Sequence, residues 1–239
     1  MSVPGRLGTL PAMSETSSRN APRRVALVTG AADGLGREFA TALARRGYRV
    51  AGLDLADMSG TAELIGDGFH PVRADVADAE EVDFAVEEAA TRFGGLHVVV
   101  NNAGVHPPLD FERTTLEDWR RIMRVNLDGP FLVSRAALPH LKAAGWGRVV
   151  NIASSAAFVG PPDLVAYTTS KAGLVGFTRA LSSAVGGYGI TVNAIAPSLT
   201  RTDEPGDLVS TLLYVCDEGS GSLTGQTINV DGGRAGTGR

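Results

Sequence analysis

A single cysteine, Cys216, among 239 residues leaves no partner for an internal disulfide and fits a reducing compartment. No histidine stands near it in sequence, so it reads as a small buried hydrophobe rather than a nucleophile. The four histidines are scattered and never reach the ligand spacing of a metal site. Basic residues are not in excess: 22 Lys and Arg stand against 26 Asp and Glu, a formal net charge of −4, which argues against a nucleic-acid surface. Apolar runs are strand-sized and end in Gly, Asn or a charge, too short to span a bilayer. No repeat period is present. These absences predict a cytoplasmic protein with no metal, nucleic-acid or membrane partner. What remains, 44% hydrophobic and 20% charged, is the composition of an ordinary globular chain, long enough for one large domain.

Residues 1–22 are rich in Ser, Arg, Pro and Gly without periodicity and read as a disordered tail ahead of one domain at 23–239. Their Arg and Ser content weakly resembles a transit peptide, and Met13-Ser14-Glu15 offers an alternative start. From Arg24 onward, strand-like and helix-like segments alternate. Strands are expected at 25–29, 48–53, 69–74, 97–100, 148–152, 190–195 and 227–230. Helices are expected at 35–46, 79–93, 116–144, 164–185 and 207–216, with Thr114 or Thr115 capping the third. The connection at 56–68 has room for one or two helical turns. Strands this apolar, alternating with helices, predict an α/β fold: a Rossmann-type doubly wound parallel sheet of about seven strands, with helices on both faces.

The chemistry concentrates at 154–171. Tyr167 and Lys171 are four apart at the start of an expected helix, which stacks them on one face about 5–6 Å apart at Cβ. An ammonium there is expected to draw down a phenol pKa of about 10 in water, so that the tyrosine can exchange a proton with an alcohol or carbonyl oxygen. Ser154 follows an apolar strand and stands where its hydroxyl can bond the same oxygen. Alone, Tyr-x-x-x-Lys is a common helix-surface pair. A second site upstream raises its weight.

That site is Thr29-Gly30-Ala31-Ala32-Asp33-Gly34-Leu35-Gly36, directly after a strand and opening a helix. Such a loop lets backbone N–H groups and the positive end of the helix dipole meet a pyrophosphate, with Gly30, Asp33, Gly34, Leu35 and Gly36 as contacts. Asp54, with Leu55 beside it, ends the second strand, where a carboxylate bonds a ribose 2′-hydroxyl and repels a 2′-phosphate. NAD is therefore expected over NADP. Arg37, on the first turn of the helix, is one counter-indication if it faces the adenosine side; a solvated surface role is the favoured alternative.

In order, the chain carries Thr-Gly-x-x-x-Gly-x-Gly at 29–36, Asp75-Val76, Asn101-Asn102-Ala103-Gly104, Asn126, Ser154, Tyr167 with Lys171, Val192-Asn193 and Asp231-Gly232-Gly233. Over 24–233 it resembles the short-chain dehydrogenase/reductase family, in its compact single-domain branch. The resemblance implies a catalytic set of Tyr167 as acid/base, Ser154 orienting the substrate oxygen, Lys171 tuning the tyrosine and holding the nicotinamide ribose, and Asn126 holding a relay water. It further implies cofactor contacts from Asp75, Val76, Asn102, Ala103, Gly104, Pro197 and Thr202. Three departures stand out. Ser198 follows Pro197 where a glycine is usual, His97 replaces the aspartate that commonly opens the fourth strand, and the helical lid expected after Thr202 is almost entirely missing. The expected activity is hydride transfer between NAD and a secondary alcohol or ketone, free or carrier-bound, in a homotetramer or homodimer. Two other readings compete: a low-turnover dinucleotide-binding scaffold or sensor, and an epimerase or lyase on the same site. NADH accumulation with secondary alcohols separates them.

Overall fold

The computed structural model describes residues 23–198 and 205–233. The expected tail at 1–22 and Thr202 lie outside them.

Seven strands form one parallel sheet in the order β3-β2-β1-β4-β5-β6-β7. They are β1 Val25–Thr29, β2 Arg49–Asp54, β3 Phe69–Arg73, β4 Val98–Asn101, β5 Gly147–Ile152, β6 Ile190–Pro197 and β7 Thr227–Val230. Every expected strand is present, with ends shifted by at most two residues. The central ones are buried from end to end because helices cover both faces. Alternation along β1 divides the core: Val25 and Leu27 enter one apolar cluster, Ala26 and Val28 the other. The first cluster is closed by α3 (Ala79–Phe93) and α5 (Gly129–Ala144), the second by α1 (Gly34–Arg45) and α8 (Gly206–Val215). The short helix α2 (Ser59–Ile65) occupies the connection between β2 and β3, and a single turn, α6 (Ala156–Val159), follows β5. Among the described residues no helix is long and apolar enough to cross a membrane.

One expectation fails. The helix anticipated over 116–144 is two helices, α4 (Leu116–Met123) and α5, joined by a π-helical segment, Arg124–Asp128. Widening the turn re-aims Asn126, whose amide reaches the loop after β4 and the neighbouring helix α7 (Val165–Val185). Thr115, rather than Thr114, caps α4, in a reciprocal box with Asp118.

His97 has a physical account here. Its Nδ1 accepts from the Val25 N–H at 3.2 Å, the acceptor role a carboxylate would fill. Burial, and then the Arg24 charge, hold its pKa below the ordinary histidine value, which keeps the accepting form. Across the core, Asn101 Nδ2 donates to Ser134 Oγ on α5 and to Asn151 Oδ1 on β5, and Asn151 Nδ2 donates to Thr178 Oγ1 on α7. This buried polar chain ties the helices flanking the sheet to its central strands.

Candidate active site

Strand order reverses between β1 and β4, and there the C-terminal strand ends open a cleft of about 550 Å³. The β1 and β4 ends are stitched together: Asn102 and Ala103 N–H groups donate to Thr29 Oγ1 at 3.0 Å, and Asn102 Nδ2 donates to the Thr29 carbonyl at 3.0 Å. The glycine loop packs against this stitch. A Cβ on Gly36 would stand 1.8 Å from the Gly30 carbonyl oxygen, so only glycine permits the crossing. Asp33 makes no side-chain cap on α1, and the first N–H groups of that helix face no acceptor from it.

Gly30, Asp33, Leu35 and Gly36 line one flank of the cleft, with Asp54, Leu55, Asp75 and Val76 at its far end. Asp54 is set by its own surroundings: Oδ2 accepts from Ala32 N–H at 2.9 Å and Oδ1 from Ala56 N–H at 3.0 Å. Asp75 Oδ1 accepts from the Ala77 N–H at 2.9 Å, closing the turn after β3. Arg37 does not line the cleft. Its guanidinium donates to the Ala32 carbonyl and, through Nε at 3.2 Å, to Thr61 Oγ1.

Asn102, Ala103, Gly104, Ser154, Tyr167, Lys171 and Pro197 line the other end. Ser154 lies two residues past β5, its Oγ accepting from the Ala156 N–H at 3.1 Å. Tyr167 and Lys171 turn inward from the first turns of α7, both nearly fully buried. Tyr167 packs on Ala156 and Leu164. Lys171 Nζ donates to the Ile152 carbonyl at 2.7 Å and stands 5.7 Å from the Tyr167 ring centroid.

The electrostatics depart from the simple expectation. Burial raises the Tyr167 phenol above its ordinary value, with the nearby Ser154 hydroxyl opposing. The larger change falls on the lysine itself: burial pulls Lys171 down to about 8. An ammonium removed from water, with no carboxylate beside it among the described residues, loses more than it confers on its neighbour.

Asn126 and Gly34 do not line the cleft. Asn126 is fully buried, its Oδ1 accepting from Val105 N–H at 2.8 Å while Nδ2 donates to the Val105 carbonyl at 2.9 Å and to Ser170 Oγ at 3.1 Å. One lone pair on Oδ1 is then left. Gly34 sits at the start of α1 with φ +49°, a left-handed backbone that favours glycine. Sequence reasoning placed Val105, His106 and Ser198 only within loops expected to wall the pocket and left out Val125; with Leu53, Ala74, Ile152 and Ala153 they complete the lining. Nothing local in sequence marks Val125.

With this geometry in place, comparison with known proteins is decisive. The family model described as short chain dehydrogenase matches residues 24–211. The chain belongs to the short-chain dehydrogenase family. Among other members, a 3-oxoacyl-[acyl-carrier-protein] reductase of Synechocystis sp. is 35% identical, aligning 88% of this chain with 96% of its own. A D-threitol dehydrogenase of Mycolicibacterium smegmatis is 34% identical, covering 88% of this chain and 92% of its own. A crystal structure of 3-ketoacyl-(acyl-carrier-protein) reductase from Brucella melitensis complexed with NADH superposes with a TM-score of 0.84 at 32% identity, covering 89% of this chain and 98% of that one. This short-chain dehydrogenase is therefore an oxidoreductase of the nicotinamide-dependent type, on the family's Rossmann sheet.

Proposed function

We propose that the protein is an NAD-dependent oxidoreductase moving a hydride between nicotinamide and a secondary alcohol or ketone, with Tyr167 as the acid/base. One observation carries the reading: Ser154, Tyr167 and Lys171 converge at one end of a cleft whose other end holds the Asp54 carboxylate. The residues fit a dinucleotide. The uncapped N-terminus of α1 suits a pyrophosphate. At Gly104 a Cβ would come within 3.2 Å of Asn126 Oδ1 and 3.6 Å of Lys171 Nζ, so its absence leaves room for a sugar beside the lysine. When bound, NAD supplies the hydride acceptor. Ser154 orients the substrate oxygen, Tyr167 takes or returns its proton, and Lys171 bonds the ribose. The remaining Asn126 lone pair, or its main-chain carbonyl, is where a relay water would sit. The short run between Thr202 and Asp207 favours a bulky or carrier-bound substrate, and the relatives named for 3-oxoacyl chains and for threitol support an oxygen-rich one. A panel of bulky secondary alcohols with NAD, followed by NADH absorbance, tests the reading. No NADH from any of them would overturn it.

NAD is favoured over NADP because Asp54 lines the cleft while Arg37 is bound to Ala32 and Thr61, and Arg73 donates through Nε to the Leu55 carbonyl. Fluorescence titration should give NAD the lower Kd, and Asp54→Ala should narrow the gap by about tenfold, the scale of one charge-assisted hydrogen bond. Equal or tighter NADP binding by the wild type removes the claim.

A homo-oligomer pairing through α4 and α5 is supported by Leu116 and Phe131, large apolar side chains left 61% and 47% exposed there. Light scattering at micromolar concentration should report a dimer or tetramer; a monomer would contradict it.

A further inference from the structure

Of the four histidines, three are engaged: His70 with Glu88 at 2.8 Å, His97 with the Val25 N–H, and His140 with Glu87 at 3.3 Å. His106 is the exception. Among the described residues its ring makes no hydrogen bond, yet it lines the catalytic end of the cleft, exposed, with its centroid 5.9 Å from that of Tyr167 and the planes tilted by 52°. The backbone around it is held. Asn126 bonds both the N–H and the carbonyl of Val105, one residue before. Pro107 and Pro108 follow, restricting His106 to extended conformations and stiffening the loop. The Leu109 N–H then donates to the Asp163 carbonyl at 2.8 Å, tying the loop to the turn that leads into α7. A solvent-accessible donor/acceptor with no protein partner among the described residues, on a braced loop beside the acid/base, is a prepared contact for a ligand.

We propose that His106 is a specificity-determining residue that hydrogen-bonds a second substrate oxygen, on the carbon adjacent or next-but-one to the reacting carbon. This rests on the oxidoreductase reading above. With Tyr167 and Ser154 holding the reacting oxygen, hydrogen bonds of about 2.7–3.2 Å from both sides leave a gap that such a dioxygenated unit fills. A plain alcohol leaves the imidazole without a partner. The bland reading is an aromatic pair with Tyr167, whose separation falls within the usual range for ring contacts.

Two substitutions separate these roles. His106→Phe keeps a ring against Tyr167 and removes the polar atoms; His106→Gln keeps a hydrogen-bonding group and removes the ring. The probes are octan-2-ol, octane-2,3-diol and the N-acetylcysteamine thioester of 3-hydroxyoctanoate, with kcat and KM read by NADH formation. Dissociation constants of the same probes on the NAD complex give the comparison without turnover. His106→Phe should lower kcat/KM about tenfold on the diol or the thioester relative to octan-2-ol, mostly through KM, and His106→Gln should restore most of it. A loss on the diol assigns an adjacent oxygen; a loss on the thioester assigns the next-but-one. Equal change on all three probes, or rescue by the ring and not by the amide, would overturn the proposal. Wild-type turnover of octan-2-ol reports on the oxidoreductase reading itself, while the ratio between probes reports on His106.

Discussion

Tyr167→Phe is expected to remove turnover, with kcat falling at least about a thousandfold, while NAD affinity stays within a few-fold. General acid–base groups contribute about 10²–10⁴ to rate, and among the described residues the one imidazole at this end of the cleft, His106, is assigned to a different substrate oxygen. The ring itself should stay where it is. Tyr167 is 8% exposed and packs on Ala156 and Leu164, contacts that phenylalanine keeps. Because burial already holds the phenol above its ordinary value, removing the hydroxyl deletes a proton donor and not a charge, so the fold should lose little. Steady-state kinetics with a bulky secondary alcohol, and cofactor titration by fluorescence, provide the two readouts. Wild-type-like turnover in this variant would exclude Tyr167 from the mechanism.

Lys171→Met should do two opposite things: destroy activity and make the protein more stable. Lys171 is 4% exposed, has no ion-pair partner among the described residues, and titrates at about 8 in place of 10.5 because burial disfavours its charge. A displacement of that size corresponds to about 3 kcal/mol carried by the folded state whenever the lysine is protonated. Methionine fills similar volume without a charge, although the Ile152 carbonyl then loses its donor. The net gain at pH 7 should be about 1–3 kcal/mol, or roughly 2–12 °C in Tm.

The pH dependence fixes the sign. Between about 8 and 10.5 the unfolded chain holds the Lys171 proton more tightly than the folded one, so this residue makes the wild type more stable as pH rises. Below about 8 its full cost is present. The Tm advantage of the methionine variant should therefore be constant below pH 8 and shrink above it. Taking the difference cancels Cys216 and Tyr48, whose raised pKa values act in the opposite direction in the same alkaline range. A variant less stable than wild type at pH 7 would show that the lysine is held by interactions stronger than its burial cost. The combination expected here, stability surrendered for a buried working cation, is common where a site is built for chemistry.

Wherever a feature depends on neighbours in sequence, the chain alone determined it. Alternating apolar strands and helices dictated a parallel sheet covered on both faces, since strands without a polar face can only be buried on both sides. The glycine loop was legible because strand, turn and helix N-terminus are consecutive, and Tyr167 with Lys171 because a helix stacks residues four apart. What only the tertiary structure decided involves segments far apart in sequence. Nothing in Arg124–Asp128 distinguishes a π-helical segment from ordinary helix; it follows from where Asn126 must reach, 21 residues back to Val105 and 44 ahead to Ser170. His97 has no meaning until β4 lies beside β1 and offers its ring to the Val25 N–H. His106 looked like one more loop residue until the folded loop brought it against Tyr167. The direction of the Tyr167 and Lys171 shifts was likewise hidden, because spacing places two side chains together but only the packed interior sets how much water each one loses.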